Sequence, residues 1–246
     1  HGQIMLIQMN RPERMNALGA QLRAELGEAF TEFHEDRDLE VAVYTGTGRA
    51  FCTGEDMKES LERGTVGSDM TTNNPFMDGT LDKPVIAAVN GFAMGGGFEI
   101  ALACDLIIAA ETAIFALPEP RVGLAALAGG LQRLPRIIGQ KQALGMILTG
   151  RRVAAAEGKE LGFVNEVTAP ADLMDAAKRW AALILECSPM SVRASKQALY
   201  RGFDLPTLPE AIATVYPAVK ALYDSADFVE GPKAFAEKRA PNWQSE

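Results

Sequence analysis

The run Gly95-Gly96-Gly97 constrains this chain more than any other feature. It lies between a strand-like apolar segment, Val85–Val89, and a helical apolar run, Ile100-Ala101-Leu102-Ala103. Each glycine inside a helix costs roughly 1 kcal/mol against alanine. Three in succession therefore suit a place where backbone must come very close to another group, with its N–H groups bare. With a helix starting there, those N–H groups sit at its positive N-terminal end and face negative charge. Glu99 stands in the first turn. The combination predicts a site that stabilises an oxyanion beside a proton-transfer group. A tight strand-to-helix turn that needs small residues only for packing is the plainer alternative. A nucleotide-phosphate loop is not supported, because neither GxxxxGK followed by Ser or Thr nor GxGxxG occurs in the required context.

Strands and helices alternate around this turn. Ile4-Met5-Leu6-Ile7-Gln8-Met9 reads as a strand stopped by Asn10-Arg11-Pro12-Glu13. Leu18, Leu22, Leu26, Phe30 and Phe33 recur at helical spacing between Ala17 and Asp36. Val41–Thr45 reads as a buried strand, and residues 46–55 as a glycine-containing loop. Residues 60–80 are polar and glycine-bearing, which predicts a mobile loop. Further strands are expected near Leu106–Ala109 and Ala113–Leu117, and residues 129–148 are expected to be mostly helical. Beyond Val167 strand signals vanish, and residues 172–187, 189–202, 207–225 and 227–238 read as helices punctuated by Pro189, Pro206, Pro209 and Pro232. An α/β core over residues 1–187 with a C-terminal helical region over 188–246 is the expected organisation. No internal repeat is visible in the sequence.

Composition narrows the function classes. A chain of 246 residues with 48% hydrophobic residues can bury a sizeable core. Its formal net charge of −8 argues against non-specific binding to nucleic acid or to an anionic membrane. No uninterrupted apolar window reaches the ~18 residues of a membrane span, because Asn90, the glycines, Glu99 and Asp105 break the best candidate. Cys52, Cys104 and Cys187 are scattered and odd in number, which predicts free, buried thiols in a reducing compartment, the cytoplasm or an organellar matrix. No CxxC or His/Cys cluster suggests a metal site. The chain opens without a methionine inside a strand-like run, so a preceding segment, able to carry a targeting signal, is expected.

Nucleophilic triads lack a base. The two histidines are His1, at the chain end, and His34, on the polar end of a helix and expected at the surface. Carboxylates remain. Glu119 lies in Phe115-Ala116-Leu117-Pro118-Glu119-Pro120, an apolar stretch where an unpaired charge is costly and burial raises a carboxyl pKa. Two carboxylates about one water apart can handle a water and a carbon-bound proton. A second glycine-bearing loop, Gly48 to Lys58, can add the second N–H that an oxyanion hole needs.

These residues also carry a resemblance. Asn10-Arg11-Pro12-Glu13-Arg14-Met15-Asn16-Ala17-Leu18 resembles the opening motif of the enoyl-CoA hydratase/isomerase (crotonase) superfamily. Ala50-Phe51-Cys52-Thr53-Gly54-Glu55-Asp56-Met57-Lys58-Glu59 resembles its first oxyanion loop, and Lys83 through Asp105 its central signature. The likeness continues through Pro118-Glu119, Gly129–Leu134, Leu148–Arg151, Phe228–Gly231 and Phe235–Arg239, and so covers essentially the whole chain in order. It implies a spiral of ββα units with a C-terminal helical trimerisation region, giving trimers or hexamers. It also implies an acyl-CoA thioester substrate whose enolate is held by the backbone N–H groups of Glu55 and Gly96. Arg14, Met15, Asp56, Met57 and Lys58 match positions that line the coenzyme A channel. No separate cofactor is implied, since coenzyme A is part of the substrate.

Hydratases of this superfamily use two glutamates, and both positions are filled here, by Glu99 and Glu119; isomerases and several other branches typically lack one. The resemblance therefore implies an enoyl-CoA hydratase. An isomerase or hydratase-lyase of the same superfamily, or a non-catalytic CoA-thioester or RNA-binding relative, is the alternative. Two departures concern the substrate. Glu55 stands where alanine is most usual, and Gly123-Leu124-Ala125-Ala126-Leu127-Ala128-Gly129-Gly130 has lost the usual proline and first glycine, which is expected to reshape the acyl pocket.

Overall fold

Eight of the nine strands among the described residues run parallel within two sheets that the chain visits in turn. The computed structural model describes residues 2–66, 75–77 and 79–245. Strand β1 (Ile4–Met9) leads through a 3₁₀ turn, Pro12–Arg14, into helix α1 (Ala20–Glu35). Next come β2 (Val41–Gly46), β3 (Ala50–Cys52), α2 (Met57–Arg63), β4 (Val85–Val89), β5 (Phe92–Met94), α3 (Gly96–Ala103), β6 (Leu106–Ala110), β7 (Ile114–Ala116) and, after a 3₁₀ turn at Glu119–Val122, α4 (Gly130–Ile138). Then follow α5 (Gln140–Thr149), β8 (Val153–Ala154), α6 (Ala155–Leu161), β9 (Glu166–Thr168) and α7 (Leu173–Leu185).

The first strand of each successive pair joins a five-stranded, all-parallel sheet of order β1-β2-β4-β6-β9. The second strand joins a four-stranded sheet of order β3-β5-β7-β8, antiparallel only between β7 and β8. Each unit, β2-β3-α2, β4-β5-α3 and β6-β7-α4, thus advances one place in both sheets, which is the expected ββα spiral. Every residue of β2 and β4 is buried, so these strands read as unbroken apolar runs, as strands of a doubly covered parallel sheet do. Leu22, Leu26, Phe30 and Phe33 of α1 face the core, where Phe30 stacks on Phe76 at 4.3 Å between centroids.

Asn16 locks the corner between β2 and β3. It is fully buried, donates Nδ2 to the carbonyls of Thr47 (3.0 Å) and Ala50 (2.8 Å), and accepts the Arg11 N–H at 2.8 Å. It does so from the left-handed region (φ 56°), following Met15 at φ 52°; asparagine tolerates that region better than most side chains.

Residues 82–84 and 180–246 form a second unit, with α8 (Pro189–Gly202), α9 (Leu208–Ala213), α10 (Pro217–Asp224) and α11 (Ala226–Glu237). Here buried Asp227 accepts the Ser188 hydroxyl (2.7 Å) and the Gln244 N–H (2.7 Å), tying the tail to α8 and α11.

Four expectations need correction. Residues 46–55 contain β3, too short to show a period. Residues 129–148 are mostly helical as expected, interrupted at Gly139 (φ 80°), whereas 207–225, expected as one helix, breaks before Pro217, which holds Tyr216 extended (φ −80°, ψ 141°). Of the loop expected at 60–80, residues 60–63 complete α2 and Phe76 is buried, while 67–74 and 78 lie outside the described residues. Cys52 and Cys104 are buried free thiols, but Cys187 is exposed. His34 is at the surface. No helix among the described residues is long and apolar enough to cross a membrane.

Asn16→Ala takes the side-chain partner from the partly buried Thr47 carbonyl and Arg11 N–H, each costing about 1–3 kcal/mol, while the Ala50 carbonyl keeps Asn90 Nδ2. Denaturant unfolding of the variant is expected to show a loss of about 2–4 kcal/mol; a loss within ~0.5 kcal/mol, the usual scatter of surface changes, contradicts the lock.

Candidate active site

Each of the three consecutive glycines answers a different neighbour. Gly95 caps α3 with φ 53° and ψ −127°, a conformation closed to side-chain-bearing residues, and its carbonyl accepts the N–H groups of Phe98 (2.8 Å) and Glu99 (3.0 Å). A Cβ at Gly97 would collide with the carbonyl oxygen of Cys52, so this position presses directly on β3. At Gly96 a Cβ would lie 3.4 Å from the Cα of Gly54 and 4.0 Å from the nitrogen of Glu55. As the first residue of α3, Gly96 has no intrahelical acceptor for its N–H.

The loop carrying Glu55 is stitched to the segment before α1. Leu18 donates its N–H to the Gly54 carbonyl (2.7 Å) and accepts the Asp56 N–H (3.2 Å), forming a one-residue parallel bridge opposite Glu55. In such a bridge the paired residue's own N–H points to the other edge. For Glu55 that edge faces Gly96. The Glu55 nitrogen and the start of α3 thus come together from different ββα units, an arrangement an oxyanion hole would use.

Two carboxylates border the same turn. Glu99, on the first turn of α3, is buried (1% exposed) and accepts the N–H of Gly130, the first residue of α4, at 2.9 Å. Burial raises its carboxyl to about 7; the Glu119 charge pushes the same way, while the Gly130 and Ala128 N–H groups and Arg133 pull against it. Glu119 opens the 3₁₀ turn after Pro118. A Cβ at Gly95 would lie 2.9 Å from its Oε1, and its Oε2 is buried without a hydrogen-bond partner among the described residues. Burial raises its carboxyl too. Both shifts run toward the range in which a carboxyl can take up and return protons.

The remaining expected residues surround the Glu55 loop. Arg14 and Lys58 are exposed, and Met15 and Met57 are half-buried; the Met15 carbonyl accepts the Thr53 hydroxyl at 3.3 Å. Asp56 is buried and committed within the fold: it caps α2 through the Glu59 N–H (3.2 Å) and pairs with Arg11 Nη1 at 2.8 Å. Cys52, behind Gly97, has its thiol pushed up to about 12 by burial, so it is no nucleophile. Sequence reading passed over Arg11, Arg133 and the Gly130 N–H, whose roles arise from tertiary contact; glycines opening a helix at 129–130 were the one available signal.

The chain is similar to known proteins in both sequence and overall structure. The sequence profile of the enoyl-CoA hydratase/isomerase family matches residues 1–246. The carnitinyl-CoA dehydratases of Escherichia coli K12 and Salmonella typhi are 41% identical over 253 residues and 39% over 255, each match covering 99% of this chain and 96% of the relative. A crystal structure of an enoyl-CoA hydratase from Bacillus anthracis superposes with a TM-score of 0.91 at 37% identity, over 99% of this chain and 96% of the other. One from Mycobacterium tuberculosis H37Rv gives 0.92 at 36%, over 100% and 97%.

The raised carboxyl of Glu99 has a stability signature. Between the ordinary 4.5 and about 7 the folded protein holds a proton that the unfolded chain has released, so stability falls as pH rises through this window and levels off above it. Glu99→Gln removes that dependence. Its unfolding free energy relative to wild type is expected to climb from pH 5 to pH 8 by about 3 kcal/mol; a pH-independent difference contradicts the assignment.

Proposed function

The chain belongs to the enoyl-CoA hydratase/isomerase family, and on that premise we propose that it is an enoyl-CoA hydratase, adding water across the 2,3 double bond of a trans-2-enoyl-CoA thioester. The thioester oxygen sits between the N–H groups of Glu55 and Gly96, which hold the enolate as charge develops. Glu99 and Glu119 hold the water between them; Glu99 helps activate it for attack at C3, and Glu119 exchanges a proton at C2. The reverse sequence dehydrates a 3-hydroxyacyl-CoA.

The observation that carries this reading is the pair of glutamates, Glu99 buried and Glu119 half-buried, with raised carboxyls beside one glycine turn. Isomerases of the family typically lack one of the two. The relatives named carnitinyl-CoA dehydratase support the same chemistry on a 3-hydroxyacyl thioester. The apolar run Leu124-Ala125-Ala126-Leu127-Ala128, whose Ala126 lies beside Gly130 and Glu99, suits an apolar acyl chain. Arg14, Met15, Met57 and Lys58 are assigned to the coenzyme A channel, the exposed Arg14 and Lys58 suiting an anionic carrier; Asp56, matched to the same channel by resemblance, has its side chain committed to Arg11 and the start of α2 instead. Self-association as a trimer or hexamer is supported by exposed apolar side chains in the helical unit, among them Leu208, Ile212, Val229 and Phe235.

Loss of enoyl-thioester absorbance with crotonyl-CoA tests the reaction, with carnitinyl-CoA run in the dehydration direction for comparison. Glu119→Gln is expected to lower kcat by about 10²–10⁴ while CoA-thioester binding stays within a few fold. Turnover near that of wild type in this variant would falsify the assignment.

A further inference from the structure

We propose that Arg11 is a positioning residue for the Glu55 backbone donor: its guanidinium clamps Asp56 and the 16–20 segment together and so holds the Gly54–Glu55 peptide facing Gly96. The inference rests on the reading of the Glu55 N–H as half of the oxyanion hole.

Arg11 reaches both strands of the bridge that orients Glu55. Its Nη1 pairs with Asp56 Oδ2 at 2.8 Å and donates to the Ala17 carbonyl at 3.2 Å. Asp56 adjoins Glu55 on one side of the bridge, and Ala17 adjoins Leu18 on the other. The backbone N–H of Arg11 is held by Asn16, which also grips the β2–β3 corner. The clamp is further braced by Glu59, whose Oε2 lies 3.8 Å from Arg11 Nη2 and whose Oε1 accepts the Ala20 N–H at the start of α1 (3.0 Å). Glu59 also pairs with Arg63. Gly19 makes room for this arrangement: a Cβ there would collide with the Glu59 carboxylate and lie 2.8 Å from Arg11 Nη1.

The charges explain why arginine stands here. Asp56 is only 7% exposed, and burial alone would push its carboxyl up; the Glu59 N–H and Arg11 outweigh that and hold it below the usual carboxylate range. A planar guanidinium serves Asp56, the Ala17 carbonyl and Glu59 together, which a lysine ammonium on a single point cannot match. With both Asp56 oxygens spoken for inside the fold, the effect of the Arg11–Asp56 pair falls on the geometry of the hole rather than on the grip for coenzyme A. A displacement of about 1 Å at such a site can cost 10² in rate.

The test uses full-length Arg11→Gln, Arg11→Lys and Asp56→Asn, each checked for folding by its unfolding midpoint. Turnover of crotonyl-CoA is measured beside the red shift of bound cinnamoyl-CoA, which grows with polarisation of the thioester carbonyl. Expected for Arg11→Gln and Asp56→Asn are a kcat about 10²-fold lower, a smaller red shift, and cinnamoyl-CoA affinity within about threefold of wild type. Arg11→Lys should recover part of both signals. An unchanged red shift and kcat in the folded variants overturns the proposal, as does a loss confined to affinity, which would place the pair in coenzyme A binding. If Arg11→Gln does not fold, the other two variants decide by the same readouts. Failure of the hydratase reading looks different: wild type itself then shows no turnover and no red shift.

Discussion

The structure depends on one close approach, that of the backbone at Gly95–Gly97 to the backbone at Cys52–Glu55. Neither segment leaves room for side chains there: Gly97 faces the Cys52 carbonyl, and Gly54 and Gly96 face each other. The ββα spiral makes this contact possible by setting β3 and β5 side by side, so that the turn after each strand arrives at the same place. Three glycines in succession stand here because no side chain fits between the two segments. On the proposed reading, the N–H groups of Glu55 and Gly96 are held by backbone and need no reorganisation as charge develops.

Around that contact the electrostatics are divided by burial. Glu99 is buried and Glu119 half-buried, and desolvation there outweighs the groups that oppose it, so their carboxyls rise. Asp56, next along the chain from Glu55, is buried too but meets Arg11 and a helix N-terminus, so its carboxyl falls. One loop region thus holds a fixed anion that organises the fold, and the neighbouring turn holds protonatable groups suited to chemistry. The difference lies in the partners each carboxylate finds, not in residue type.

Much of the architecture was legible locally. β2 and β4 stand out because parallel strands covered on both faces are written as continuous apolar residues, while β1, at the sheet edge, shows through its apolar run despite exposing Leu6 and Gln8. The spacing of Leu22, Leu26, Phe30 and Phe33 announced α1. Strands β3 and β5, of three residues each, carry no period and exist through their pairing with each other. The threefold ββα topology left no repeat in the sequence, since each unit must satisfy different neighbours.

By itself the sequence determined the alternation of strands and helices, the glycine turn at the head of α3, and the presence of both glutamates, because these follow from propensity and periodicity over a few residues. Tertiary structure alone decided that Glu99 meets the N–H of Gly130, that the Glu55 loop faces Gly96, and that Asp56 spends its charge on Arg11. Those outcomes turn on burial and on contacts between segments 30 to 45 residues apart, where the energy of a charge depends on what the fold brings beside it.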